Sequence, residues 1–203
     1  MTYDELLAAM RSLSNRIDLD SDLPLFISMA EDEMKALRVR QMVKRATATI
    51  DKAFSEMPID FAAERVMLIG DDEVDFITIE AMDDRDDGTK GQPRFYTVDA
   101  GQFRFYPIPD QAYVFEATYY ALIPPLTEAA TNWLAKGFPN IYRFGVMWAV
   151  SLKTRDAEAT AIYKAQMDRA MAELADRYRD KIGRPLRADF SFLQTTRRHG
   201  VRL

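Results

Sequence analysis

The spacing of apolar side chains predicts helices at the start of the chain. Thr2 and Glu5 fit a capping box, in which each side chain pairs with a backbone N–H group that a helix start leaves unsatisfied. Apolar residues then recur every three or four positions over residues 3–13, the pattern of a helix with one buried face. Asp22 and Pro24 predict the start of a second helix. The chain therefore begins with a predicted helical hairpin.

A second helical region is predicted toward the end of the chain. Pro139 suits the first turn of a helix that runs to about Lys153 and is apolar around most of its circumference, so we expect it to be buried. A last helix is predicted from about Asp156 to a stop near Gly183 and Pro185.

The pattern between these regions changes to a period of two. Residues 43–50 alternate in this way and are rich in β-branched side chains, which predicts a strand. A turn at residues 99–101 predicts a hairpin over residues 94–106. The remaining predicted strands cover residues 65–69, 74–79, 95–98, 102–106 and 113–120.

These elements predict an α+β fold. The N- and C-terminal helices, residues 1–42 and 123–183, are expected to form one α-helical bundle. Residues 43–122 are expected to form a small antiparallel β insertion, and residues 184–203 an extended basic C-terminal arm.

Composition narrows the possible classes of protein. The 203 residues are 48% hydrophobic, which is enough to build a core. Cysteine is absent, so disulfides, thiolate metal sites and thiol catalysis are excluded. No apolar run approaches the roughly 18 residues of a membrane span, and the acidic, amphipathic start is unlike a signal peptide. We therefore expect folding in a cytoplasm and no membrane partner.

Charge is unevenly distributed between the arm and the rest of the chain. The net charge is −5, yet residues 184–203 contain five arginines and one aspartate. Aromatic and arginine side chains together suit either a protein partner with acidic pockets or a nucleic acid. We favour the protein partner, because the acidic body would repel a phosphate backbone. The candidate contact residues are Arg184, Arg187, Phe190, Phe192, Arg197, Arg198 and Arg202.

Candidate chemistry is sparse. The single histidine, His199, lies in the arm with no fixed partner, so a histidine-based mechanism has no support. Acidic residues at 71–75 and 83–87 could gather a cation, but Arg85 and Arg94 occupy two ligand positions of the calcium-loop pattern that starts at Asp83. A solvated acidic loop is the better interpretation. We predict no catalytic residue, no metal and no cofactor.

Short motifs in a fixed order connect the chain with a known family. Each motif alone is common, and it is their order and spacing that is specific. They are YDELL at 3–7, FI at 26–27, AE at 30–31, LRVR at 37–40, MPIDF at 57–61, QPRFY at 92–96, FYPIPD at 105–110, YY at 119–120, IPPL at 123–126, TNWL at 131–134 and PNIY at 139–142. With them, residues 3–183 resemble the podophage-type head-to-tail adaptors of tailed bacteriophages, a family of head completion connector proteins.

The resemblance implies a structural virion protein without enzymatic activity. It implies a ring of identical subunits, normally twelve, that docks on the portal protein through a C-terminal segment, continues the DNA channel and provides a platform for a tail or nozzle protein. Genomic DNA would pass through the lumen without specific binding. The expected location is the head–tail junction of the virion, after assembly in the host cytoplasm. A DNA-binding accessory protein that uses the basic arm is the alternative.

Overall fold

The structure is a computed structural model that describes residues 1–178. Within this range the helices are α1 (Tyr3–Ser14), α2 (Leu23–Met34), α3 (Ile79–Asp83), α4 (Trp133–Gly137), α5 (Pro139–Thr154) and α6 (Ala157–Arg177). The strands are β1 (Val43–Ile50), β2 (Phe54–Glu56), β3 (Phe61–Ile69), β4 (Asp72–Glu73), β5 (Asp75–Phe76), β6 (Phe95–Asp99), β7 (Gln102–Tyr106) and β8 (Tyr113–Ala121). Two 3-10 helices, Ile17–Asp22 and Arg40–Met42, complete the regular structure.

The long helices begin where their sequence signals predict. The capping box is present, because the Glu5 N–H donates to Thr2 Oγ1 at 3.3 Å and the Thr2 N–H donates to Glu5 Oε2 at 3.0 Å. Pro139 stands in the first turn of α5. The Asp156 side chain caps α6 by accepting from the Ala159 N–H. A cap of this kind stabilises a helix by about 1 kcal/mol. The predicted stop near Gly183 lies outside the described residues.

Five of the helices pack around one hydrophobic cluster. It draws on α1, α2, α4, α5 and α6, and residues as far apart as Leu6, Phe26, Tyr142 and Met167 are fully buried in it. We call it the helical cluster. Gly145 of α5 allows a close approach to α2, since a Cβ added there would lie 2.6 Å from the Ala30 Cβ of α2.

The strands form two four-stranded sheets. Sheet A has the order β1-β8-β3-β4, and sheet B has the order β2-β7-β6-β5. The pairs are antiparallel except β5 and β6, which are parallel. The predicted hairpin over residues 94–106 is confirmed, since β6 and β7 pair around a turn in which Ala100 and Gly101 have positive φ angles of 47° and 77°.

A second hydrophobic cluster lies between the two sheets, which makes this region a small β-sandwich. Aromatic rings from the sheets meet edge to face: Phe103 lies 5.4 Å from Phe61 and 5.5 Å from Phe115, and Phe105 lies 4.9 Å from Phe115 between ring centroids. Such pairs each add about 0.5–1.5 kcal/mol beyond the burial of their surface.

The prediction of an α-helical bundle with a small antiparallel β insertion is wrong. The fold is mixed α+β, with two four-stranded sheets that include a parallel pair. One helix, α3, lies inside the predicted insertion, where part of a strand was expected over residues 74–79. The error arises because strands of two or three residues, such as β2, β4 and β5, are defined by their partners and carry almost no local pattern.

The structure does not test two other predictions, the division into domains and the extended arm. The division into residues 1–42 with 123–183, residues 43–122 and residues 184–203 stays a prediction. The extended arm lies outside the described residues.

No helix within residues 1–178 combines the length and apolarity needed to cross a bilayer.

Candidate interaction surfaces

The C-terminal end of α6 fixes the place from which the rest of the chain departs. The Tyr178 ring meets the Phe138 ring edge to face at 5.8 Å, and the Arg177 guanidinium lies 5.9 Å from the centre of the same Phe138 ring. The Arg40 backbone N–H donates to the Tyr178 carbonyl oxygen at 3.4 Å. Tyr178 is therefore tied both to Phe138, just before α5, and to the segment before β1.

None of the seven candidate contact residues of the arm lies in the described structure. Arg184, Arg187, Phe190, Phe192, Arg197, Arg198 and Arg202 all follow Tyr178 in the chain. They lie outside the described residues, and their role stays a prediction.

The acidic segment, residues 83–87, is tied to the sandwich. Arg104 of β7 donates to Asp83 Oδ1 at 2.6 Å and to Asp86 Oδ2 at 2.7 Å. The side chain of Arg104 is only 14% exposed, so this double pair is better shielded from solvent than an ordinary surface salt bridge. The Thr78 side chain caps the short helix that leads into the segment.

Further contacts hold the end of the acidic segment. Asp87 Oδ1 accepts from the Thr89 N–H at 2.9 Å and from the Tyr106 hydroxyl at 3.2 Å. The bond with Thr89 is the main reason that the pKa of Asp87 lies below its usual value. The Arg85 guanidinium lies over the Phe95 ring at 5.4 Å. The segment is thus an ordered acidic surface, and among residues 1–178 no cluster of acids or histidines could hold a metal ion.

A second acidic surface lies at one edge of sheet A. Asp72 and Glu73 form β4, Asp71 precedes them, and Asp75 begins β5, the edge strand of sheet B. We call residues 71–75 the acidic edge. It borders a groove of about 690 Å³, which is also lined by Arg94. The groove is wide and its acids are exposed, so it suits a charged partner surface better than a buried small molecule.

The opposite edge of sheet A carries basic residues. Lys44 of β1 pairs with Asp60, and Arg45 lies 3.7 Å from Glu116. The Lys44 contact is the main reason that the pKa of Asp60 is lowered. The Tyr119 hydroxyl also donates to Asp60 at 2.8 Å, and burial together with this bond raises the pKa of Tyr119 to about 12.

One buried polar network joins the connector after β8 to the helical cluster. Glu31 Oε1 accepts from the Leu126 N–H at 2.7 Å and from the Tyr142 hydroxyl at 2.8 Å. Asn132 Nδ2 donates to the Tyr142 oxygen at 2.7 Å and to the Pro124 carbonyl at 2.6 Å. Among residues 1–178 no buried side-chain nitrogen or oxygen lacks a hydrogen-bond partner, and this network positions the connector.

Glu31 is the described carboxyl group whose pKa is raised. Burial is the main cause, and the hydrogen bonds from Leu126 and Tyr142 oppose it. A raised carboxyl pKa in a pocket is a feature of catalytic acids. Here no nucleophile or second free carboxylate accompanies it in the described network, so the group is explained by packing.

Sequence reasoning missed Arg104 as the residue that orders the acidic segment. The signal for α3 was available, because Thr78 precedes Glu80 in the manner of a helix cap. The local sequence pattern, however, does not indicate that Arg104 of the β6–β7 hairpin contacts α3.

The fold defines a class, a mixed α+β protein with two four-stranded sheets and ordered charged surfaces. The comparison with families is more specific. The model of the SU10 adaptor protein family matches residues 1–189, and the chain belongs to this family. It is therefore a bacteriophage adaptor protein, and the suspected relationship to phage adaptors is confirmed. A search of curated proteins finds no match.

Proposed function

We propose that this protein forms a ring, with twelve subunits as the expected number, that docks on the portal of the phage head and receives the tail below. The observation that carries the proposal is membership of the adaptor family over residues 1–189. An adaptor in a virion acts between portal and tail components, and its task needs a stiff body with exposed contact surfaces. Two packed clusters and ordered acidic surfaces are suited to that task.

The base of the arm supports the assignment of the portal contact to residues 184–203. Tyr178 and Arg177 are held against Phe138, so the arm would start from a fixed point on each subunit. The family match ends at residue 189, and five of the seven candidate residues follow it. We propose that these residues adapt the protein to its own portal, with aromatic rings in pockets and arginines paired with acids.

The charge of the body supports a channel that does not retain DNA. The chain has a net charge of −5, and its basic excess lies in the arm. A ring of such subunits would repel the phosphate backbone wherever acids face the lumen. Genomic DNA would then pass without specific binding.

The test is light scattering of the protein with and without the portal from the same genome. We expect a complex that contains a ring of adaptor copies, and we expect loss of binding when residues 184–203 are removed, with the helical circular dichroism signal unchanged. Portal binding that survives the truncation would contradict the role of the arm.

A matched variant separates the portal from DNA as the partner of the arm. Replacing the five arginines by lysines keeps the charge but removes the planar guanidinium groups that pair with carboxylates at two points. We expect weaker portal binding. Unchanged portal binding, together with salt-dependent binding to DNA that also tolerates lysine, would favour the DNA-binding function.

A further inference from the structure

The two edges of sheet A differ in how they are protected. β1 pairs with β8 through eight consecutive positions, Val43 to Ile50, without a register shift. It contains no proline, and among residues 1–178 no other strand pairs with its outer edge. A regular edge strand of this length offers a row of unpaired backbone groups to another chain.

The opposite edge is irregular and offers little backbone for such pairing. β3 contains two register shifts against β8, between Phe61 and Ala63 and between Glu64 and Val66. β-bulges twist an edge away from a new partner. The short strand β4 then covers only Leu68 and Ile69 of β3. The acidic edge therefore limits further pairing to a short stretch, whereas the β1 edge stays regular along its whole length.

The charges of the two edges are complementary. Lys44 and Arg45 are the second and third residues of β1, and their side chains are 56% and 69% exposed in spite of their internal pairs with acids. The acidic edge brings four carboxylates together within residues 71–75. Exposed internal pairs of this kind contribute little and leave the charge accessible to a neighbour.

We propose that the β1 edge of one subunit docks against the acidic edge of the next, mainly through complementary charges and with backbone pairing limited to the short strand β4. The inference rests on the ring proposed above and names its interface. The contact joins two different surfaces of the same chain, which is the kind of contact that closes into a ring when the rotation between neighbours allows it. Arg45 of one subunit faces the acids at 71–75 of the next across this contact.

The absence of native cysteine makes a direct test possible. Thr47 of β1 and Glu73 of β4 are both exposed, so Thr47→Cys and Glu73→Cys can be introduced singly and together. The full-length double variant, bound to the portal, is treated with a short crosslinker that joins two thiols. We expect a ladder of covalent multimers from the double variant and monomers only from each single variant, because the contact never joins like positions.

The possible outcomes distinguish failure of the proposed interface from failure of the proposed ring. A ring on the portal that gives no ladder would overturn the interface and leave the proposed function intact. Dimers from Thr47→Cys alone would show β1 pairing with itself and would overturn it as well. Failure of the wild-type protein to form a ring on the portal would overturn both proposals.

Charge exchange provides a second measurement. Arg45→Glu and Glu73→Arg should each reduce ring occupancy on the portal about tenfold at low salt, because each places like charges across the contact. The double variant should recover occupancy. Arg143→Glu, an exposed reversal on α5, is the matched control and should have no effect. Equal loss in the single and double variants would overturn the proposed pairing of these edges.

Discussion

The helical cluster depends on a close approach between backbones, whereas the sandwich depends on interlocking aromatic rings. In the first, Gly145 lets α5 lie against Ala30 of α2 with no room for a further carbon atom. In the second, Phe103 is completely buried and is in contact with rings from both sheets. The comparison teaches that the two regions are sensitive to opposite changes. Added side-chain volume should destabilise the helical cluster, and loss of side-chain volume should destabilise the sandwich.

The largest expected effect is in the sandwich. Phe103→Ala should lower the free energy of unfolding by about 3–5 kcal/mol, because it removes a fully buried ring and leaves a cavity. Urea denaturation followed by circular dichroism measures it. Phe76→Ala is the matched control, since that ring is 52% exposed, and it should cost about 1 kcal/mol or less. Equal losses of unfolding free energy in the two variants would contradict the role given to the packing of aromatic rings.

The next effect is in the helical cluster. Gly145→Ala should destabilise the protein by about 1–3 kcal/mol, since the new Cβ would meet the Ala30 Cβ at 2.6 Å and the Met167 sulfur at 3.2 Å. Thermal or urea unfolding measures the change. Gly137→Ala is the control, because a Cβ there meets nothing within 4 Å. Stabilisation by Gly145→Ala, as expected of an open helical site, would show that the close approach is absent.

The Glu31 network lies between the two regions. Disrupting it should lower the free energy of unfolding by an amount similar to or smaller than that of Gly145→Ala. Glu31→Ala would leave the Leu126 N–H and the Tyr142 hydroxyl without their acceptor. Losing the partner of a buried donor costs about 1–3 kcal/mol. Glu31→Gln retains an acceptor oxygen and should restore most of the stability at neutral pH. Equal destabilisation by both changes would mean that the negative charge, and not the acceptor oxygen, is needed.

The smallest effect is the pH dependence of Glu31. Burial raises the pKa of this carboxyl in the folded state, so the folded protein binds the proton more tightly than the unfolded chain does. Its contribution to the unfolding free energy should therefore rise as the pH falls from the raised pKa toward the ordinary value of 4.5, and be constant below it. The difference between wild type and Glu31→Gln, measured by urea unfolding at several pH values, should show this trend.

A control distinguishes this titration from the general effect of acid. Wild type and Glu31→Gln are measured in the same buffers, so the effects of acid that the two proteins share cancel in their difference. A Glu31 difference that is flat, or that changes in the opposite direction, would contradict the burial of the charge.

The sequence could predict the parts of the fold that are locally encoded. The starts of α1, α5 and α6 follow from caps and proline, and the β6–β7 hairpin follows from its turn. The two bulges in β3 interrupt its alternation, which explains why only residues 65–69 were predicted for a strand that begins at Phe61. The parallel pairing of β5 with β6 depends on contacts distant in sequence and has no local signal.

The surfaces were harder to predict than the fold. The acidic segment was expected to be a solvated loop, and its order comes from Arg104, which reaches it from another element. The contrast between the two edges of sheet A could not be predicted either, because it depends on which strand ends the sheet. The candidate residues of the arm were chosen by composition alone, and they lie outside the described structure.

The hydrogen bond between Arg40 and Tyr178 has a mechanical consequence. It joins the last described residue of the C-terminal helical region to the backbone just before β1, and the ring of the same tyrosine meets the Phe138 ring edge to face. Tension applied to the residues that follow Tyr178 would be shared between α6 and the first strand of sheet A. A force on the end of the chain would thus act at the junction of the two clusters, and it would not unwind α6 one turn at a time.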